Sequence, residues 1–128
     1  MGESGIARTA IVVFAHGSRI EPANEAVRAV ACELALAGGF ERVQAAFLEL
    51  GVPSLDEAVT ALAAEGFERV VVVPYFLTLG LHLERDLPRL VARISSRHKG
   101  IEVVATPPLD GHPALVQVLL ERARQAAT

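Results

Sequence analysis

The sequence predicts an α/β fold: a three-layer α/β/α sandwich around a four-stranded parallel sheet with flavodoxin-like winding. Three observations carry this expectation. Four short apolar runs alternate with four stretches of helical periodicity. The segments between the runs are long enough for helices, so the strands they join are parallel, with right-handed crossovers and helices on both faces. Val70–Val73 are four consecutive β-branched residues, which suit a strand buried on both sides.

In chain order, the first strand is read at 9–15 (TAIVVFA), after a polar tail at 1–8. Pro22 fits the first turn of a helix, and Ala23, Val27, Val30 and Leu34 follow at helical spacing until Gly38-Gly39 ends it. Cys32 reads as a small buried residue of that helix. The second strand is read at 43–49 (VQAAFLE). Ser54-Leu55-Asp56-Glu57 is a capping-box sequence that starts a helix, with Leu55, Ala58, Val59, Leu62 and Ala63 inward and Gly66 at its end. Gly-Phe-Glu-Arg-Val occurs at 39–43 and again at 66–70, each time between a helix and a strand. The third strand is read at 69–75. A Gly-containing loop then leads past His82 to a helix expected to begin at Asp86-Leu87-Pro88 and to stop before Gly100. Ile101–Ala105 is the fourth strand, and Pro113 opens the last helix.

The chain has 128 residues, of which 52% are hydrophobic and 21% charged, enough for one packed domain over 1–128. A net charge of −3 gives no reason to expect nucleic acid or an anionic membrane as partner. The single cysteine rules out an intramolecular disulfide and a cysteine-rich zinc cluster. No apolar run approaches a membrane span, and the start lacks the apolar stretch of a signal peptide, so a cytoplasmic location is expected.

In an open parallel sheet the ligand crevice lies beyond the carboxyl ends of the strands. His16 stands directly after the first strand, Glu49 closes the second, and His82 follows the third. These positions recur at intervals of 33 residues, about one βα unit, so each tops a successive strand. Gly17 beside His16 permits close backbone approach. Imidazole is the commonest protein ligand for borderline divalent metals. A carboxylate between apolar neighbours, as in Phe47-Leu48-Glu49-Leu50, must pair, meet solvent or bind a cation. Two histidines and a carboxylate with open positions suit Fe(II), Co(II), Ni(II) or Zn(II). His98 reads as surface and His112 as structural.

These residues resemble the short form of the CbiX/SirB family, the class II tetrapyrrole chelatases. The resemblance rests on His16-Gly17-Ser18-Arg19, on Phe47–Leu50 with Pro53 after it, and on PYFLTLGLHLERDLP at 74–88. The last is close to the family pattern P-x-F-L-x-x-G-x-H-x-x-x-D-[IL]-P. The resemblance implies insertion of a divalent metal (Co2+, Fe2+ or Ni2+, itself a substrate) into sirohydrochlorin or a related tetrapyrrole. Neither ATP nor an organic cofactor is expected to take part. It puts His16 and His82 on the family's metal-binding histidines and Glu49 on the acidic partner that some members have. It also implies a homodimer whose two clefts meet, because long members carry two such domains. The substrate bears several carboxylates, so donors are expected at the rim, with Ser18, Arg19 and Arg85 as candidates. Tyr75 departs from many members, at a position expected on the pocket wall.

Two rival readings are distinguishable. Histidine phosphatases place His-Gly after their first strand but need an arginine just before it, where this chain has Ala15. A metal-delivery protein would bind the ion and never act on a tetrapyrrole.

Overall fold

In the computed structural model, which describes residues 7–77 and 79–127 and only the backbone of Leu81 and His82, four strands form one parallel sheet. The order along the chain is β1 (Thr9–Ala15), α1 (Glu21–Gly38), β2 (Val43–Phe47), α2 (Leu55–Ala64), β3 (Arg69–Pro74), α3 (Gly80–Arg97), β4 (Glu102–Ala105) and α4 (Pro113–Ala127). Across the sheet the order is β2-β1-β3-β4, so β1 lies between the two strands that carry the other candidate site residues.

The period of two sorts each strand's residues between two cores. Ala10, Val12 and Phe14 of β1 join Val70 and Val72 of β3 and Val103 of β4 under α2 and α3. Leu55, Ala58, Val59 and Leu62 press in from α2, with Leu87, Val91 and Ile94 from α3. On the other face Val13, Ala15, Ala45 and Phe47 pack under α1, against Ala31, Val27 and Leu34. Helices on both faces of one sheet make the expected three layers. The capping box is formed as written: Glu57 N–H donates to Ser54 Oγ at 3.1 Å, and Ser54 N–H donates to Glu57 Oε1 at 2.8 Å.

Several boundaries and burials differ from expectation. The helix read from Asp86 begins six residues earlier, at Gly80, and encloses Pro88. The proline's lost hydrogen bond is outweighed because Leu83, Leu87, Leu90, Val91 and Ile94 recur on one face and pack into the core. His82 therefore stands in the first turn of a helix, not on a loop. β2 ends at Phe47, β3 at Pro74, and β4 begins at Glu102. β3 is fully buried on one face only: Val71 and Val73 stay half-buried, since α1 covers β1 and β2 and no residue of α4 is buried. Cys32 is exposed, one step around the helix from the inward stripe Asn24, Val27, Ala31 and Leu34. His98 is held between α3 and α2, its Nε2 3.3 Å from Asp56 Oδ1. His112 accepts the Ala114 backbone N–H at 3.0 Å, closing the first turn of α4.

Candidate active site

Because β2, β1 and β3 are neighbours and parallel, the segments after them emerge side by side at one edge of the sheet. The β1–β2 pairing runs past the last strand residues. Leu48 N–H donates to the Ala15 carbonyl at 2.9 Å, and Glu49 N–H donates to the His16 carbonyl at 3.0 Å. That register sets the two side chains together: His16 Nε2 lies 3.0 Å from Glu49 Oε2. Both remain accessible, with side chains 55% and 57% exposed, so a ligand can reach them from solvent. The Phe76 ring, two residues beyond β3, stands edge-on to the imidazole at 6.4 Å between centroids and gives it an apolar wall.

The separation of the pair has chemical meaning. Two donors each about 2.1 Å from one divalent ion stand about 3.0 Å apart when they subtend a right angle. The 3.0 Å contact is an imidazole–carboxylate ion pair in this structure, and the same spacing suits two adjacent ligands of one cation. Among the described residues no third His, Cys, Asp or Glu joins them. The side chain of His82, the third member expected from the sequence, lies outside the described residues. Its backbone is in the opening turn of α3, just past β3.

Gly17 makes the approach possible. Its φ is +97°, and a Cβ built there would lie 1.7 Å from the Glu49 carbonyl oxygen. A second device was not anticipated from the sequence. Asn24 is the buried polar side chain of the core, 3% exposed. Its Oδ1 accepts the Ser18 N–H at 2.9 Å, while Nδ2 donates to the Ser18 carbonyl at 2.9 Å and to the Leu50 carbonyl at 3.1 Å. One amide thereby ties the loop after β1 to the loop after β2. It also holds Leu50 at φ +58°, a conformation costly for a residue with a branched side chain. The available signal was an asparagine on the inward stripe of a helix's first turn. Replacing it by alanine strips the Ser18 N–H and the Leu50 carbonyl of their partners. Asn24→Ala is therefore expected to destabilise the chain by about 2 kcal/mol, read as a lower urea midpoint at unchanged slope.

Of the expected rim donors, Ser18 is occupied locally, its Oγ accepting the Ile20 N–H at 3.0 Å. Arg19 is exposed beside His16, and Arg85 is exposed on α3.

Comparison with known proteins gives a consistent result. The CbiX family model matches residues 10–126. The sirohydrochlorin cobaltochelatase of Methanopyrus kandleri is 29% identical, over 91% of this chain and 96% of that protein. The chloroplastic sirohydrochlorin ferrochelatase of Arabidopsis thaliana is 33% identical over 88% of this chain, which spans only 50% of the plant protein. The sirohydrochlorin chelatase SirB of Bacillus subtilis subspecies spizizenii, solved in complex with cobalt, superposes with a TM-score of 0.84 at 26% identity. That match covers 94% of this chain and 51% of SirB.

Proposed function

The chain belongs to the CbiX family, and from that membership we propose that it inserts a divalent metal into sirohydrochlorin or a related tetrapyrrole without ATP. Co2+ and Fe2+ are the proposed ions, with Ni2+ a further possibility by ligand chemistry, and cobalamin or sirohaem biosynthesis the use. The observation that carries the reading is the His16–Glu49 pair, spaced like two ligands of one ion and open to solvent. The ion is a substrate, so its site must both hold it and let it go. Solvent-exposed ligands at a loop edge suit that better than a closed cage.

Insertion requires two inner nitrogens of the macrocycle to lose protons as the metal enters. His16 and His82 are assigned to present the ion to the ring, and Glu49 to share in binding it. As coordination passes to the pyrrole nitrogens, the freed imidazole or carboxylate becomes an acceptor for a ring proton. Holding both reactants in one cleft removes much of the entropic cost of their meeting. Ser18, Arg19 and Arg85 are proposed at the rim, where substrate carboxylates arrive. Of these Arg19, exposed and three residues past His16, has the strongest support. Among the described residues no helix is long and apolar enough to cross a membrane, and no membrane or nucleic-acid step is proposed.

A homodimer completes the proposal. The chain spans about half of SirB, so a second copy would supply the missing half. Val116 and Leu119 of α4, 63% and 68% exposed, are apolar surface that a second copy would cover. Sedimentation at about twice the 13.6 kDa chain mass is expected, and a monomer at micromolar concentration would remove this part.

The assay for the function follows sirohydrochlorin absorbance after adding Co2+ or Fe2+, with and without protein. Acceleration over the spontaneous rate is expected. Metal binding without acceleration would instead identify a delivery protein.

A further inference from the structure

Along α3 one flank sets two arginines beside a cleft. Residues 82, 86, 89 and 93 share a helical stripe at spacings of four, three and four. Beside it lies a cleft of about 560 Å³ lined by Leu48, Leu83, Asp86, Arg89, Leu90 and Arg93. Leu48 and Leu83 are the chain neighbours of Glu49 and His82, so the cleft borders the segments that carry the site residues. Its leucines give an apolar floor, and its arginines stand one turn apart on the helix.

Five of the nine other arginines are ion-paired among the described residues, while Arg19, Arg85, Arg122 and Arg124 are not. Arg8 meets Glu41, Arg28 meets Glu21 and Glu25, Arg42 meets Glu65, Arg69 meets Glu102, and Arg97 meets Asp56. Among the described residues neither Arg89 nor Arg93 has an ion pair or side-chain hydrogen bond, although Asp86 shares their cleft. Like charges four residues apart on a helix repel, which does nothing for stability. The charges are also ordered along the stripe. Asp86 lies about 6 Å along the axis from position 82, at the end a dication would occupy. Arg89 and Arg93 lie about 10 and 16 Å from it.

We infer that Arg89 and Arg93 receive carboxylates of the tetrapyrrole, whose ring face lies on Leu48, Leu83 and Leu90 while its centre faces the metal-binding edge. Guanidinium groups suit this because their planar fork binds carboxylates in two parallel hydrogen bonds. The inference rests on the chelatase reading and adds to it the residues that orient the macrocycle. Arg89 and Arg93 are thus binding residues, distinct from the metal ligands.

The test uses metal-free sirohydrochlorin, whose fluorescence change on binding gives a Kd, with wild type and the Arg89→Gln/Arg93→Gln variant. Both positions are exposed, so the fold should persist. The double variant is expected to raise the Kd and the KM for sirohydrochlorin by about tenfold or more, with Co2+ affinity and kcat little changed. Lysine at both positions should restore part of the binding. Arg122→Gln/Arg124→Gln on α4, with the same change in net charge, should leave the Kd at the wild-type value. If wild type neither binds nor metallates sirohydrochlorin, the chelatase reading itself fails. If wild type does both and Arg89→Gln/Arg93→Gln binds as tightly, or the α4 control weakens binding equally, this inference alone is overturned.

Discussion

Alanine in place of His16 is expected to slow Co2+ insertion into sirohydrochlorin by about 10²- to 10⁴-fold, the range spanned by losing a positioned acid–base group. The side chain is proposed to act twice, as a ligand on the incoming ion and as a receiver of a ring proton. No other described His, Cys, Asp or Glu groups with the pair to replace it. Glu49 would keep its own place, because its backbone N–H is bonded to the carbonyl of residue 16 whatever side chain stands there. More than half of the imidazole is exposed, so its loss should change stability by less than about 0.5 kcal/mol. Activity and stability therefore separate at this position. Initial rates together with a urea denaturation curve of the same preparation read both. Insertion within threefold of wild type would show that His16 is not where the ion is handed over.

Alanine at Gly17 is expected to do the opposite, removing fold stability and site geometry together. Two penalties meet there. The backbone sits at φ +97°, and the added Cβ would fall 1.7 Å from the Glu49 carbonyl oxygen, a backbone atom that no side-chain rotation can clear. The loops after β1 and β2 must separate, and with them His16 and Glu49. The expected cost is about 2–4 kcal/mol, with insertion falling as far as for His16→Ala. Gly39 provides the comparison. It too has a positive φ, +65°, yet nothing lies within 4 Å of an added Cβ. Gly39→Ala should cost only about 1 kcal/mol and leave insertion unchanged, and denaturation midpoints and rates of the two variants are the check. Equal losses in both would assign the effect to backbone conformation and not to the contact with Glu49.

What could be read from the sequence was what local chemistry determines. The capping box at Ser54 and Glu57 needs only four consecutive residues, and it is formed. The 33-residue interval between His16 and Glu49 reflects one βα unit, and parallel pairing of β1 with β2 converts that interval into contact. Features decided by tertiary packing differ from the local expectation. Asp86-Leu87-Pro88 has the local look of a helix start, but the apolar stripe beginning at Leu83 winds the helix from Gly80 onward. Four valines suggested a doubly buried strand, yet burial on the second face depends on a covering helix, and α1 lies over β1 and β2. The role of Asn24 is not legible locally, because its partners, Ser18 and Leu50, are backbone groups of two loops that meet only after folding. Cys32 lies a single step around α1 from the expected buried position, since the inward stripe is set by Asn24 and Ala31.

Convergence of the segments after β1, β2 and β3 on one ion is best tested by Co2+ titration followed in the visible spectrum, on wild type, His16→Ala and His82→Ala. The expected result is a single nitrogen- and oxygen-ligated cobalt spectrum in wild type. Each substitution should alter that spectrum and weaken the affinity by at least about tenfold, the lower limit found for groups that merely orient a ligand. Wild-type affinity and an unchanged spectrum in His82→Ala would contradict the account, because the third strand would then contribute nothing to the ion.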